Sequence, residues 1–132
     1  MSLKNKEKAM RGVRRDMNNI AREFMVEADS NVVTATPILF GVAAANWLPS
    51  IDEPRTETKH YPNTEEKTVQ PTESAKDFPE PDHKPATYYL SNNLPYIESL
   101  NDGASEQTQG IRAGFVERAA RAAARKIFRR YK

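Results

Sequence analysis

The sequence predicts an α+β fold: a small antiparallel sheet flanked by a long N-terminal helix and a C-terminal helix, with a Pro-rich extended insertion over residues 52–86. Three observations lead there. Apolar residues recur at helical spacing near both ends of the chain, two short β-prone stretches lie between them, and seven of the nine prolines fall between Pro49 and Pro85.

Residues from Ser2 to about Asn31 read as one amphipathic helix. Met10, Val13, Met17, Ile20 and Phe24 are spaced 3, 4, 3 and 4 apart, and Ala28 extends the row. That pattern defines an apolar stripe expected to cover a sheet. Lys6, Arg14, Arg15, Asp16 and Arg22 fall mostly off it, and dilution of the bases by acids argues against a membrane-surface helix. In "TATPILFGVAAANWLPSID", Pro37 disfavours helix at Thr36, and Gly41 permits an unusual backbone angle. A strand is expected over residues 43–51, with Trp47, the only tryptophan, as a core anchor.

Residues 52–85 hold few sizeable apolar groups: Tyr61, Val69 and Phe78. Such a stretch buries too little surface to offset its own ordering entropy. It is therefore expected to extend onto neighbouring subunits through those three residues, with a hairpin between 55–61 and 67–70 as a further reading. Ala86 to Leu90 reads as the second strand, Ser91-Asn92-Asn93 as a break, and Pro95 to Leu100 as a short helix. From Ile111 runs the closing helix, where Phe115, Ala119, Ala123 and Ile127 form a seam. Arg118, Arg121, Arg125 and Arg129 form a basic stripe beside it.

At 132 residues the chain fits a single domain, 1–132. Its hydrophobic content of 38% and mean hydropathy of −0.77 are low for a self-sufficient globule, so part of the chain is expected to stay extended or to borrow burial from partners. Cysteine is absent, so disulfides and thiolate metal sites are excluded. The N-terminus lacks the apolar run of a signal peptide, and no stretch approaches the ~20 apolar residues of a membrane span. A net charge of +2 conceals an asymmetry: +2 over residues 1–49, −7 over 50–110 and +7 over 111–132. An acidic middle and a basic tail suggest association between copies, or one helix facing nucleic acid.

Catalytic chemistry finds no support. His60 and His83 lie in the Pro-rich segment without a paired ligand at helical spacing, and read as solvated. Glu65-Glu66 and Glu80/Asp82 have nothing apolar beside them to raise a carboxylate pKa. The glycines never form a phosphate-binding spacing. No catalytic, cofactor or metal residue is assigned. The basic stripe, with Tyr131 for stacking, supports an alternative reading as a basic nucleic-acid-binding accessory protein. Ion pairs between that stripe and the acidic middle of a neighbour are the preferred reading.

The stretch "YYLSNNLPYIESLNDGASEQTQG" resembles the small tail-component family of tailed bacteriophages, the tail-completion, neck or head–tail joining proteins. That family carries a long N-terminal helix and a stretch like T-P-V-D-T-G-R-A-R-A-N-W. A strand ending in L-T-N-N-L-P-Y-I-E-R-L-E-Y-G, a short loop, a glycine and a closing helix follow. Here Thr36, Pro37, Gly41, Ala43, Ala45, Asn46 and Trp47 match the first block. Leu90, Asn92, Asn93, Leu94, Pro95, Tyr96, Ile97, Glu98, Leu100 and Gly103 match the second, and Ser105, Gln107 and Gly110 continue it. The family's polar D-T-G-R turn is Leu39-Phe40-Gly41-Val42 here, which places Leu39 and Phe40 at an expected subunit contact.

The resemblance implies a structural virion protein of the head–tail junction, assembled in the host cytoplasm and joining capsid portal to tail. It implies a closed homo-oligomeric ring of about six copies, with about twelve as the next choice. Other neck, portal-side or tail proteins are the implied partners, with DNA passing through the lumen and no membrane. The Asn92-Asn93 corner then serves architecture, fixing the direction in which the next helix leaves the sheet.

Overall fold

The computed structural model describes residues 2–36, 42–60, 71, 73–80, 82, 84–103 and 113–131. It has the expected α+β arrangement of a long N-terminal helix, a two-stranded antiparallel sheet and a C-terminal helix.

Helix α1 spans Leu3–Ala35. Ser2 caps it, its hydroxyl accepting from the Asn5 amide at 3.2 Å. At the far end Thr36 turns extended, and both its amide and its hydroxyl donate back to the Val32 carbonyl. The residue before Pro37 is thereby held out of helical geometry, as its sterics require. The helix is longer than expected, and it buries a different face. Asn18, Met25, Ala28, Asp29 and Val32 are buried, whereas Met10 (52% exposed), Val13, Met17 (63%) and Ile20 lie open. Of the expected stripe, Ala28 is buried and Phe24 half-buried, and the four residues before them are a free surface.

Helix α2, Val42–Ala45, occupies the first part of the expected 43–51 strand. Three consecutive alanines favour helix, and strand β1 begins only at Leu48 and ends at Ile51. Strand β2, Tyr88–Ser91, pairs with it antiparallel, with Leu48 opposite Ser91 and Ile51 opposite Tyr88. Helix α3, Ile97–Asn101, ends at Gly103, whose φ of 102° is easy only for glycine. Helix α4, Phe115–Arg130, starts after Gly114, also left-handed at φ 82°.

Helix α4 lies antiparallel on α1. Its buried residues are Phe115, Ala119, Ala123 and Ile127, the expected seam. Polar rungs flank the contact: Asn31 donates to the Ala119 carbonyl, Lys126 pairs with Glu27 at 2.8 Å, and Arg130 with Glu23 at 3.3 Å. α1 therefore covers α4 more than the sheet. One core cluster joins Val32, Trp47, Phe115 and Ala119, with Leu90, Ile97 and Leu100 packed against it.

A second cluster corrects the reading of the insertion. Met25, Ala75 and Phe78 pack together, and the Phe78 ring meets Tyr88 at 5.3 Å between centroids. Phe78, expected at a subunit contact, is buried in its own chain. The segment around it bonds to α1 through its backbone. Asn18 Nδ2 donates to the Asp82 and Lys84 carbonyls, Arg22 to the Phe78 carbonyl, and Ala75 N–H donates to Asp29 Oδ2. A short 3-10 helix, Ala75–Asp77, capped by Ser74, fits between them. Low apolar content did not leave this part free, because polar side chains of α1 satisfy its backbone. Tyr61 and Val69 lie outside the described residues, as does the second half of the suggested hairpin; residues 55–60 are irregular.

Candidate functional site

The described motif residues of the two blocks meet at one corner of the molecule. Trp47 is buried and its Nε1–H donates to Thr36 Oγ1 at 2.8 Å. Thr36 directs its own hydroxyl proton to the Val32 carbonyl, so a buried indole, a hydroxyl and the end of α1 form one chain. Asn46 is 1% exposed and works as a backbone clip. Its amide donates to the Val42 and Lys59 carbonyls at 2.9 and 3.1 Å, and its Oδ1 accepts from the Lys59 amide at 2.7 Å.

Asn92 and Asn93 extend the clip from the other block. Asn92 Oδ1 accepts from the Leu94 amide, a local turn bond, while its Nδ2 reaches the Ala43 carbonyl at 2.9 Å. Asn93 Nδ2 donates to the Arg55 and Glu57 carbonyls, each at 2.9 Å. The corner therefore does more than aim a helix. It holds the start of the insertion, residues 55–59, against the sheet by its main chain. Pro95 and Tyr96 stand exposed beyond it, while Ile97 and Leu100 face the core.

Charge reinforces the clip. Arg55 lies against both Glu57 and Glu73, and Lys59 is 3.3 Å from Glu73. Hydrogen bonds from Arg55 hold the Glu57 carboxyl down to about 2 and lower Glu73 as well. The same bonds, Glu57's first, raise the Arg55 guanidinium. Part of the acidic middle is thus neutralised within its own chain, a pairing that sequence spacing did not reveal.

The basic stripe of α4 is a second surface. Arg118, Arg121, Arg125 and Arg129 are exposed. Among the described residues, Arg125 and Arg129 have no carboxylate in ion-pair distance, and Arg118 is engaged locally with the Ala113 carbonyl. Beside them Phe128 stands 71% exposed. Lys126 and Arg130, off the stripe, are the cations that pair with α1. Tyr131 is also committed: its hydroxyl donates to Glu23 and accepts from Asn19, and the Glu23 bond raises its pKa.

One buried group is left incompletely satisfied. Asp29 Oδ2 accepts from Ala75, but Oδ1 has no partner among the described residues. Burial raises its pKa, opposed by the Ala75 bond and by Lys76. His60 is exposed, and among the described residues no three His, Asp or Glu side chains converge as a metal site. No helix among them is long and apolar enough to cross a membrane. Pro37, Leu39, Phe40, Gly41 and Gly110 lie outside the described residues, as does His83.

No family model matches this chain, and neither a curated protein nor a solved structure matches it.

Proposed function

We propose that the protein is a non-catalytic structural component of a bacteriophage head–tail connector, a neck or tail-completion protein that forms a ring between capsid portal and tail. One observation carries most weight. The motif blocks on which the resemblance rests are separated by more than forty residues, yet Asn46 and Asn92 act on one corner, Asn92 reaching Ala43 at the start of the first block's helix. Residues chosen for a shared architectural job should meet in this way, and residues matched by chance need not.

The test is the mass of the full chain in solution. Six copies of the 14.9 kDa chain give about 89 kDa and twelve about 179 kDa, with closed particles visible by electron microscopy. A monomer at every concentration and salt condition would overturn the ring. The exposed Arg125–Phe128–Arg129 surface favours the second reading, a nucleic-acid-binding accessory protein. Under that reading the monomer binds duplex or single-stranded DNA with an affinity that falls steeply as salt rises.

A further inference from the structure

Residues 2–17 of α1 are all exposed. They form a helical arm of roughly 20 Å that leaves the body of the protomer. It has two properties at once. Leu3, Met10, Val13 and Met17 are open apolar side chains, the last three in one row. Residues 3–17 also carry six Lys/Arg against two Asp/Glu, a net +4. A helix with these faces needs an acidic partner that also offers apolar recesses.

This chain has such a surface. A groove of about 170 Å³ is lined by Ile51, Asp52, Pro79, Glu80, Asp82 and Tyr88, among others. Its volume suits one long aliphatic side chain. Its lining carries three carboxylates, Asp52, Glu80 and Asp82, against one cation, Lys84. None of Met10, Val13 and Met17 lines the chain's own groove. Asn18, which lines the groove, projects from α1 about 100° away from Met17.

We propose that the arm of one copy lies in the Asp52–Glu80–Asp82 groove of a second copy. Met10 or Met17 enters the recess, and Arg14, one turn from each on the same side of the helix, faces the carboxylates. Repeated head to tail, the contact builds a ring, so the proposal deepens the ring reading and rests on it.

The chain has no cysteine, which makes cross-linking clean. Full-length Val13→Cys and Glu80→Cys chains are mixed and oxidised mildly. The expected result is a mixed disulfide about tenfold above either homodimer, abolished by adding Met10→Asp and Met17→Asp to the Val13→Cys chain. The same pair of aspartates in the otherwise native chain should weaken self-association roughly 100-fold. Arg14→Glu should weaken it too, and mixing with Glu80→Arg chains should restore it. A full-size oligomer with no mixed disulfide and no response to the aspartates overturns the arm contact and leaves the ring standing. A monomer overturns both. Preferential Val13→Cys homodimers would mean that arms pair with each other, and also overturn it. So would an unchanged oligomer whose aspartate variant has lost binding to duplex DNA or to anionic phospholipid vesicles.

Discussion

Helices α1 and α4 both carry apolar rows at helical spacing, and the two rows end differently. On α4, Phe115, Ala119, Ala123 and Ile127 are all buried, with Ala123 fully enclosed. Its two central residues, Ala119 and Ala123, are small enough to let α1 approach closely. On α1, Met10, Val13, Met17 and Ile20 remain open, while a mixed row of Asn18, Met25, Asp29 and Val32 goes inside. An apolar row thus marks a face that seeks burial. It does not say whose atoms will bury it. On α4 the same chain supplies the partner, and on α1 the row stays exposed.

The comparison breaks most directly with two truncations. Phe115→Ala removes a ring that is 1% exposed from the α1–α4 core and should cost about 3–5 kcal/mol in denaturant unfolding. Met17→Ala should leave protomer stability within about 0.5 kcal/mol. If the two cost alike, Met17 is packed within its own chain and the contrast fails.

A second effect concerns the corner. Asn46→Ala removes three bonds from a buried amide, so about 1–3 kcal/mol should be lost. Hydrogen exchange at the Lys59 amide should accelerate locally; a change spread evenly over the molecule would count against a clip.

Asp29 should behave in the opposite direction. Its folded pKa is raised above its unfolded value, so the neutral form is favoured and the associated stability is present at low pH. It is lost as pH rises through the folded pKa, when the buried carboxyl must ionise. Asp29→Asn should therefore stabilise the protein by roughly 1 kcal/mol at pH 7, with the gap closing toward acid. Equal destabilisation at both pH values would show that the Ala75 bond dominates instead.

The smallest effect is expected for Glu27→Gln. The Lys126–Glu27 pair is partly exposed, so its loss should cost about 0.5 kcal/mol or less and fade in high salt.

These residues also mark what could be read in the sequence. The α4 seam was legible because apolar residues repeated every four positions share one face of a helix and alternate on no strand, and the buried Trp47 and the strand at Tyr88 were legible too. The buried face of α1 was not, because its inward residues include Asn18 and Asp29, which read as surface. They are buried by bonding the backbone of residues 75–84, a partner without regular structure and hence without periodicity. Phe78 looked stranded for the same reason: it packs on Met25 and Tyr88, both distant in sequence. The corner was legible as a break, while its grip on residues 55–59 shows only in three dimensions, since side-chain-to-carbonyl bonds leave no mark on composition.

The antiparallel contact of α1 with α4 also sets the order in which the protomer can form. The Asn31–Ala119 bond joins residues 88 apart, and the Tyr131–Glu23 bond residues 108 apart. Closing such separations is slow compared with helix growth, so folding waits on the late-synthesised helix. During translation α1 therefore exists without its cover. Val32 and Trp47 have no Phe115 to meet until the segment that carries it has left the ribosome. A nascent chain in that condition cannot complete its core, and the Val32–Trp47 side of it stays open to solvent until the helix arrives.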